Sequence, residues 1–218
     1  MPDLVIVESP GKTRKINQIL GSGYVVRASL GHVRDLPQPK RNGSSGPRRQ
    51  NPLGLDIPGG WKPEWEIVDS KAKVVRELRS LGRSGTVWLA TDLDREGEAI
   101  AWHLRDLLGG SENRFRRVTF SEITPAAVRA AFERPRAIDY DLVHAQQARR
   151  FLDRVVGFTV SPLLSRRLRA GLSAGRVQSA ALAILAARDE KIRVFRPVEF
   201  FGVDVLLAVD GAEPVRAS

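Results

Sequence analysis

The stretch Thr91–His103, TDLDREGEAIAWH, sets Asp92, Asp94 and Glu96 at alternate positions, with Glu98 following. If the chain stays extended past Thr91, the first three side chains point to one side. Carboxylates held a few ångströms apart repel by roughly 4 kcal/mol per pair at an effective dielectric of 20. A hard divalent cation with oxygen ligands offsets that repulsion directly. Mg2+ suits a sparse cluster, because it keeps several waters and takes one or two carboxylates plus phosphate oxygens. The spacing is also compatible with a solvated acidic turn ahead of a helix, favoured by the helix dipole. Two better-known motifs fail on counting. An EF-hand loop begun at Asp92 needs Glu at its twelfth position, where His103 stands. Gly11–Thr13 reads GKT like the tail of a P-loop, but the first glycine of that motif would fall at Ile6.

Glu8 and Lys12 form a second candidate group. A lysine near a helix N-terminus is unfavourable for the dipole unless it meets an anion, and free N–H groups there bind phosphate as well. An ordinary exposed lysine is the alternative. His32, in LGHVRDL, has a donor for phosphate, although a lone loop histidine also arises incidentally. Further along, Arg149 and Asp153 in QQARRFLDR are i, i+4 neighbours on a helix, so Asp153 can brace that guanidinium for a bidentate phosphate contact. A solvated salt-bridged face fits the same spacing. From Arg149 to Arg176 there are seven arginines and one acid, a density that suits a polyanion track. LSAGRVQS (Leu172–Ser179) adds a helix start whose N–H groups can cradle phosphate, with Arg176 and Gln178 within reach of backbone or base.

The elements that must position these groups are legible in the apolar pattern. Leu4–Val7 is a short β-branched run suited to a buried parallel strand, and Ser9-Pro10 opens a helix that Gly21 stops. Tyr24–Leu30, Trp65–Val68, Thr86–Thr91 and Arg117–Ile123 read as strands, and Lys71–Leu81, the segment from Glu98, and the segment after Thr124-Pro125 as helices. Pro37–Gly60, rich in Pro, Gly, Ser and Arg, reads as a loop or partly ordered insertion outside the core. Strands alternating with helices predict an α/β fold, a Rossmann-like parallel sheet with helices on both faces. Sites in such sheets gather beyond the C-terminal strand ends, where Glu8 and Asp92 fall. After about Asp139 helical patterns dominate, and Glu199–Val209 resumes strand character with little beyond it to pair against. The expected domains are therefore 1–138, 139–196 and a strand-rich start at 197–218.

Composition narrows the partner. Lys and Arg outnumber Asp and Glu by 35 to 25, giving a formal charge of +10, as in proteins that neutralise nucleic-acid phosphates. With 42% hydrophobic and 28% charged residues the chain should bury a real core. The absence of cysteine excludes disulfides and cysteine-ligated zinc within these residues. No apolar run reaches membrane-spanning length and the start lacks the pattern of a signal peptide, so no membrane partner and a cytoplasmic setting are expected.

In order and spacing, LVIVESPGKTRKI, GHVRDLP, LATDLDREGEAIAWHL, NRFRRVTFSEIT, AQQARRFLDRVVGF and GLSAGRVQS resemble the N-terminal third of the bacterial DNA topoisomerase I (type IA) family. The start ESPGKT, rather than an EKPS type, points away from topoisomerase III. The resemblance implies a TOPRIM domain, the Glu plus DxDxE metal site shared with primases, followed by the start of a helical domain that grips single-stranded DNA. In that family a tyrosine attacks a phosphodiester and keeps the 5′ phosphate, another strand passes, and the 3′ hydroxyl reseals the break. Negatively supercoiled DNA is relaxed without ATP, by a monomer associated with the nucleoid. By position, Glu8, Asp92 and Asp94 match the metal and proton-transfer carboxylates, Glu96 completes the motif, and Lys12 matches the lysine that steadies the scissile phosphate. Mg2+ is the implied cofactor. His32, Arg149, Arg150, Asp153 and the segment Ser173, Ala174, Gly175, Arg176, Val177 and Gln178 match DNA-contacting positions. Phe158 and Ser165 stand where many relatives carry Tyr and Trp, losing a polar or stacking contact. The nucleophilic tyrosine of the family lies in a later domain, and neither Tyr24 nor Tyr140 has its context. The expectation is a segment that binds single-stranded DNA and Mg2+ but relaxes nothing unaided, the remaining topoisomerase domains being its partners. A TOPRIM nuclease or primase, and a non-catalytic single-strand binding module, are the rival classes.

Overall fold

The computed structural model describes residues 2–38, 51–208, 210, 211 and 213–217. It forms two compact units, Met1–Ser173 and Ala174–Ser218. In the first, β1 (Asp3–Val7) has Leu4 to Val7 all buried, as a strand covered on both faces requires. Ser9 and Pro10 then open α1 (Pro10–Leu20), which leads to β2 (Tyr24–Ala28). Four short strands follow: β3 (Arg34–Asp35), β4 (Leu55–Asp56), β5 (Lys62–Pro63) and β6 (Glu66–Ile67). They make two antiparallel pairs, β3 with β6 and β4 with β5. Next come α2 (Ala72–Leu81), β7 (Val87–Ala90), α3 (Arg95–Leu108), β8 (Phe115–Arg117), α4 (Pro125–Glu133) and α5 (Tyr140–Arg167).

The main sheet has four parallel strands in the order β2-β1-β7-β8. Alternate residues of β1 feed its two faces. Leu4 and Ile6 pack with Val75, Leu78, Ile100 and Leu104 of α2 and α3, while Val5 and Val7 pack with Ile16, Val128 and Phe132 of α1 and α4. Each such side chain contributes about 1.5–3 kcal/mol of burial, which fixes the register of the strands that carry the site. The expected α/β architecture, a parallel sheet with helices on both faces, is the one observed.

Several boundaries differ from the sequence reading. The strand expected at Arg117–Ile123 is β8 at Phe115–Arg117, in register with Val87–Leu89. Val118 N–H donates once more, to Leu89 O at 3.1 Å, and pairing then stops because β7 itself ends at Ala90. Residues 39–50 lie outside the described residues. The rest of the expected non-core loop is not all surface: Leu55 is buried and packs with Leu36 and Phe151, flanked by Leu53, Ile57 and Trp65.

The second unit contains α6 (Arg176–Arg193), β9 (Val205–Leu207) and β10 (Val215–Ala217). The strand expected to lack a partner has one. β9 pairs antiparallel with β10, Val205 opposite Ala217 and Leu207 opposite Val215.

Candidate active site

β1 and β7 are adjacent and parallel, with Val7 opposite Ala90, so Glu8 and the Thr91–Asp94 turn leave the sheet side by side. α1 begins directly after Glu8 and brings Lys12 onto Asp92, where its ammonium pairs with Oδ1. Glu8 is pushed above the usual carboxylate range, first by burial and then by the charges of Asp92 and Asp94, against the opposing pull of Lys12 and His32. Glu8, Lys12, Asp92 and Asp94 are thus brought into one electrostatic neighbourhood.

The acids do not line one face of an extended strand. Asp94 is the N-cap of α3, its Oδ1 accepting from Gly97 N–H at 2.7 Å, so the chain is already helical at Glu96. Glu96 turns instead toward His32 and α5, with its Oε2 3.2 Å from His32 Nε2 and accepting from Gln146 Nε2 at 3.0 Å. The capping preference of Asp overrides the period-two spacing. Among the described residues no three His, Cys, Asp or Glu side chains stand close enough together to hold a metal ion as they are. The donor set at Glu8, Asp92 and Asp94 still fits a hard cation: it is all carboxylate oxygen, the charges of Asp92 and Asp94 add to burial in raising the proton affinity of Glu8, and Asp92 already holds the Lys12 ammonium.

The turn beneath these acids is fixed from below by residues that the sequence reading missed. Glu98 and Arg117 have fully buried side chains. Arg117 Nε donates to Glu98 Oε2 at 3.0 Å, and Nη1 donates to the carbonyls of Leu89, Thr91 and Val118 at 3.0, 2.8 and 2.8 Å. Nη2 reaches the Asp92 carbonyl at 2.8 Å. Glu98 also accepts from Arg136 at 3.1 and 2.8 Å and from Asp139 N–H at 2.7 Å. Thr91 Oγ1 donates to Gly97 O at 2.6 Å, closing the turn. A side chain at Gly97 would place its Cβ 2.2 Å from the Asp92 carbonyl oxygen, so only glycine fits. The available signal was Arg117 directly before Val118, in a stretch otherwise reading as a buried strand, with a surplus acid on the preceding helix.

α5 packs on α3 and carries the expected strand-gripping residues. Arg150 is braced from outside the helix, donating from Nε and Nη2 to the two oxygens of Asp35 at 2.7 and 2.6 Å. Arg154 is buried, donating to the carbonyls of Pro37 and Leu36 at 2.8 and 3.0 Å, with its guanidinium 4.8 Å from the Phe158 ring centre. Arg149 and Asp153 are half-buried on the same helix. Ser165 Oγ donates to Leu172 O at 2.8 Å, closing the turn after α5. Beside the Arg150 pair, Arg34 Nε donates to His103 Nδ1 at 2.9 Å and Arg34 also pairs with Asp106. Burial, with Arg34 and His32 nearby, pushes the His103 imidazole down to about 2. Ser173 ends the first unit, whereas Ala174, Gly175, Arg176, Val177 and Gln178 open the second, with Gly175 as N-cap of α6.

Neither tyrosine meets the acids. Tyr24 is opposite Asp3, at the far end of the sheet, packed edge-on against Trp88 and Phe132. The Tyr140 hydroxyl is 3.2 Å from Arg105 Nη1, ten residues and about 15 Å along α3 from Arg95.

Known proteins match this arrangement closely. The Toprim domain family matches residues 3–123, and the family described as DNA topoisomerase matches residues 137–216. DNA topoisomerase 1 of Pseudomonas aeruginosa is 49% identical over 98% of this chain, and that of Escherichia coli 47% identical over 96%. The chain spans about a quarter of the length of these curated relatives, 27% and 26% respectively. Full-length topoisomerase I from Thermotoga maritima superposes with a TM-score of 0.75 at 43% identity, over 88% of this chain and 31% of that one. The chain belongs to the Toprim family, and with the DNA topoisomerase match that follows it corresponds to the N-terminal part of bacterial DNA topoisomerase 1.

Proposed function

We propose that this chain supplies the metal-binding and strand-holding half of an ATP-independent DNA strand-passage reaction, relaxing negatively supercoiled DNA in the bacterial cytoplasm at the nucleoid. The observation that carries this reading is the convergence of Glu8, Lys12, Asp92 and Asp94 at the C-terminal ends of β1 and β7. Asp92 and Asp94, with Glu8 beside them, would hold Mg2+, and Glu96 would act through His32 and Gln146 rather than as a ligand. Mg2+, when bound, supplies positive charge to the phosphate oxygens of the strand. Lys12 then releases Asp92 for the scissile phosphate, which it steadies as a point charge. Glu8, whose raised proton affinity keeps it protonated further toward neutrality, gives its proton to the departing 3′ oxygen and takes it back on resealing. The attacking tyrosine forms the bond to the 5′ phosphorus and comes from a part of the enzyme beyond Tyr24 and Tyr140.

His32, Arg149, Arg150, Asp153, Phe158, Ser165 and the 173–178 segment hold the single strand. Arg150 does so as a fixed fork on Asp35. The protein acts as a monomer together with the remaining topoisomerase domains.

The test uses the 218-residue chain and a short single-stranded oligonucleotide. Mg2+ binding, followed by calorimetry, should be lost in the Asp92→Asn/Asp94→Asn double variant while oligonucleotide binding persists. Relaxation of supercoiled plasmid by the chain alone would overturn the reading. Mg2+-dependent nicking without a protein–DNA adduct would replace it with a nuclease.

A further inference from the structure

A cavity of about 340 Å³ opens at the β8 edge of the sheet, between the C-terminal half of α3 and the start of α5. That volume is at the lower end of the range for small-molecule sites. Its polar lining is dominated by guanidinium groups, from Arg105, Arg116, Arg117 and Arg136, and its apolar lining includes Phe115 and the half-exposed ring of Tyr140. Among the described residues the carboxylates paired to these arginines are Glu98 and Glu112, which leaves an excess of two positive charges.

The arginines are not equivalent. Arg117 and Arg136 are held by Glu98 and form a rigid floor. Arg105 is held between Glu112, at 2.9 Å, and the Tyr140 hydroxyl, at 3.2 Å. Among the described residues Arg116 bonds backbone carbonyls, those of Asn113 at 2.9 Å and Phe115 at 3.2 Å, both through Nη1. Its Nη2 and Nε have no carboxylate among the described residues.

We propose that this cavity binds a nucleotide 5′-phosphate, with Arg116 as its principal anion donor and the rings of Phe115 and Tyr140 against the sugar and base. A phosphate monoester carries about −1.5 to −2 at pH 7 and so balances the excess of two, which a carboxylate or an internal phosphodiester only halves. A planar guanidinium meets phosphate oxygens bidentately, and aromatic walls accept any base without sequence preference. The site is separate from the acid cluster and does not depend on the proposed reaction. The ligand has two possible sources, a free mononucleotide or the 5′-phosphorylated end of a DNA strand.

Calorimetric titration of the whole chain with deoxyadenosine monophosphate, beside deoxyadenosine as the phosphate-free control, tests the site. Arg116→Ser should weaken binding about tenfold, as loss of a charge-assisted bond does, and Tyr140→Ala should weaken it less. Asp94→Asn should leave it unchanged, which separates this site from the acid cluster. Fluorescence anisotropy of a thymidine oligomer with and without a 5′ phosphate assigns the source. Preference for the phosphorylated end, lost in Arg116→Ser, identifies the strand end. Mononucleotide binding with no such preference identifies the free nucleotide. If Arg116→Ser changes neither affinity, or deoxyadenosine binds as well as its monophosphate, the proposal is wrong.

Discussion

Two groups of charge share the turn after β7 and are built in opposite ways. Asp94 stands exposed and Asp92 partly so, opposed by one lysine, with Glu8 driven toward protonation beside them. A few residues on, Glu98 is fully buried and saturated: Arg117, Arg136 and a backbone N–H occupy its oxygens. Left alone, the first group is under electrostatic tension that a cation relieves, whereas the second is complete without any ligand. The difference separates chemistry from scaffold. On the proposed function, the charges that meet a substrate are left under-neutralised, and those that hold geometry are matched bond for bond.

The largest test of that division is Glu98→Ala. It leaves the buried Arg117 guanidinium uncompensated and should cost about 3–5 kcal/mol, read as a lower urea midpoint of unfolding. An unchanged midpoint would mean that the buried network is not the scaffold.

His103 extends the comparison to pH, because it too is buried and partnered, but by Arg34. Its folded-state proton affinity lies near 2, far below the ordinary value of 6.5, so between those values the unfolded chain binds the proton and the folded one does not. This contribution to stability is fully present above about pH 6.5 and declines as pH falls, by about 1.4 kcal/mol per unit at the steepest. His103→Gln removes the titration, so the stability gap between the parent chain and this variant should narrow from pH 7 to pH 5. A gap that stays constant would show that His103 protonates in the fold.

The smallest effect belongs to the exposed acids. Asp94→Asn keeps an equally good N-cap and relieves like-charge repulsion, so unfolding free energy should move by less than about 1 kcal/mol while Mg2+ affinity falls. Destabilisation on the scale of Glu98→Ala would erase the distinction between the two groups.

Much of this was legible in the residues. The all-apolar Leu4–Val7 and the Ser9-Pro10 start imply a buried strand and its helix, and the strand ends put both Glu8 and Asp92 at the C-terminal edge of the sheet. Local spacing misled at Glu96, where capping by Asp94 started the helix early, and at β8, whose length is set by its partner rather than by its own apolar run. The Glu98–Arg117–Arg136 network could not be read at all, since its members are 19 and 38 residues apart along the chain and meet only through the fold. The same holds for Asp35 and Arg150, which are 115 residues apart, whereas a helix-periodic reading sees only pairs on one helix.

The four carbonyls that Arg117 grips, at Leu89, Thr91, Asp92 and Val118, belong to the main chain. A clamp on main-chain oxygens does not register which side chain projects from the gripped residue. The loop is therefore a mount whose fittings can be exchanged. Asp92 can be replaced by histidine, asparagine or glutamate and its neighbours will still be presented at the same height above the sheet, so a different reactivity can be tried there without designing a new backbone.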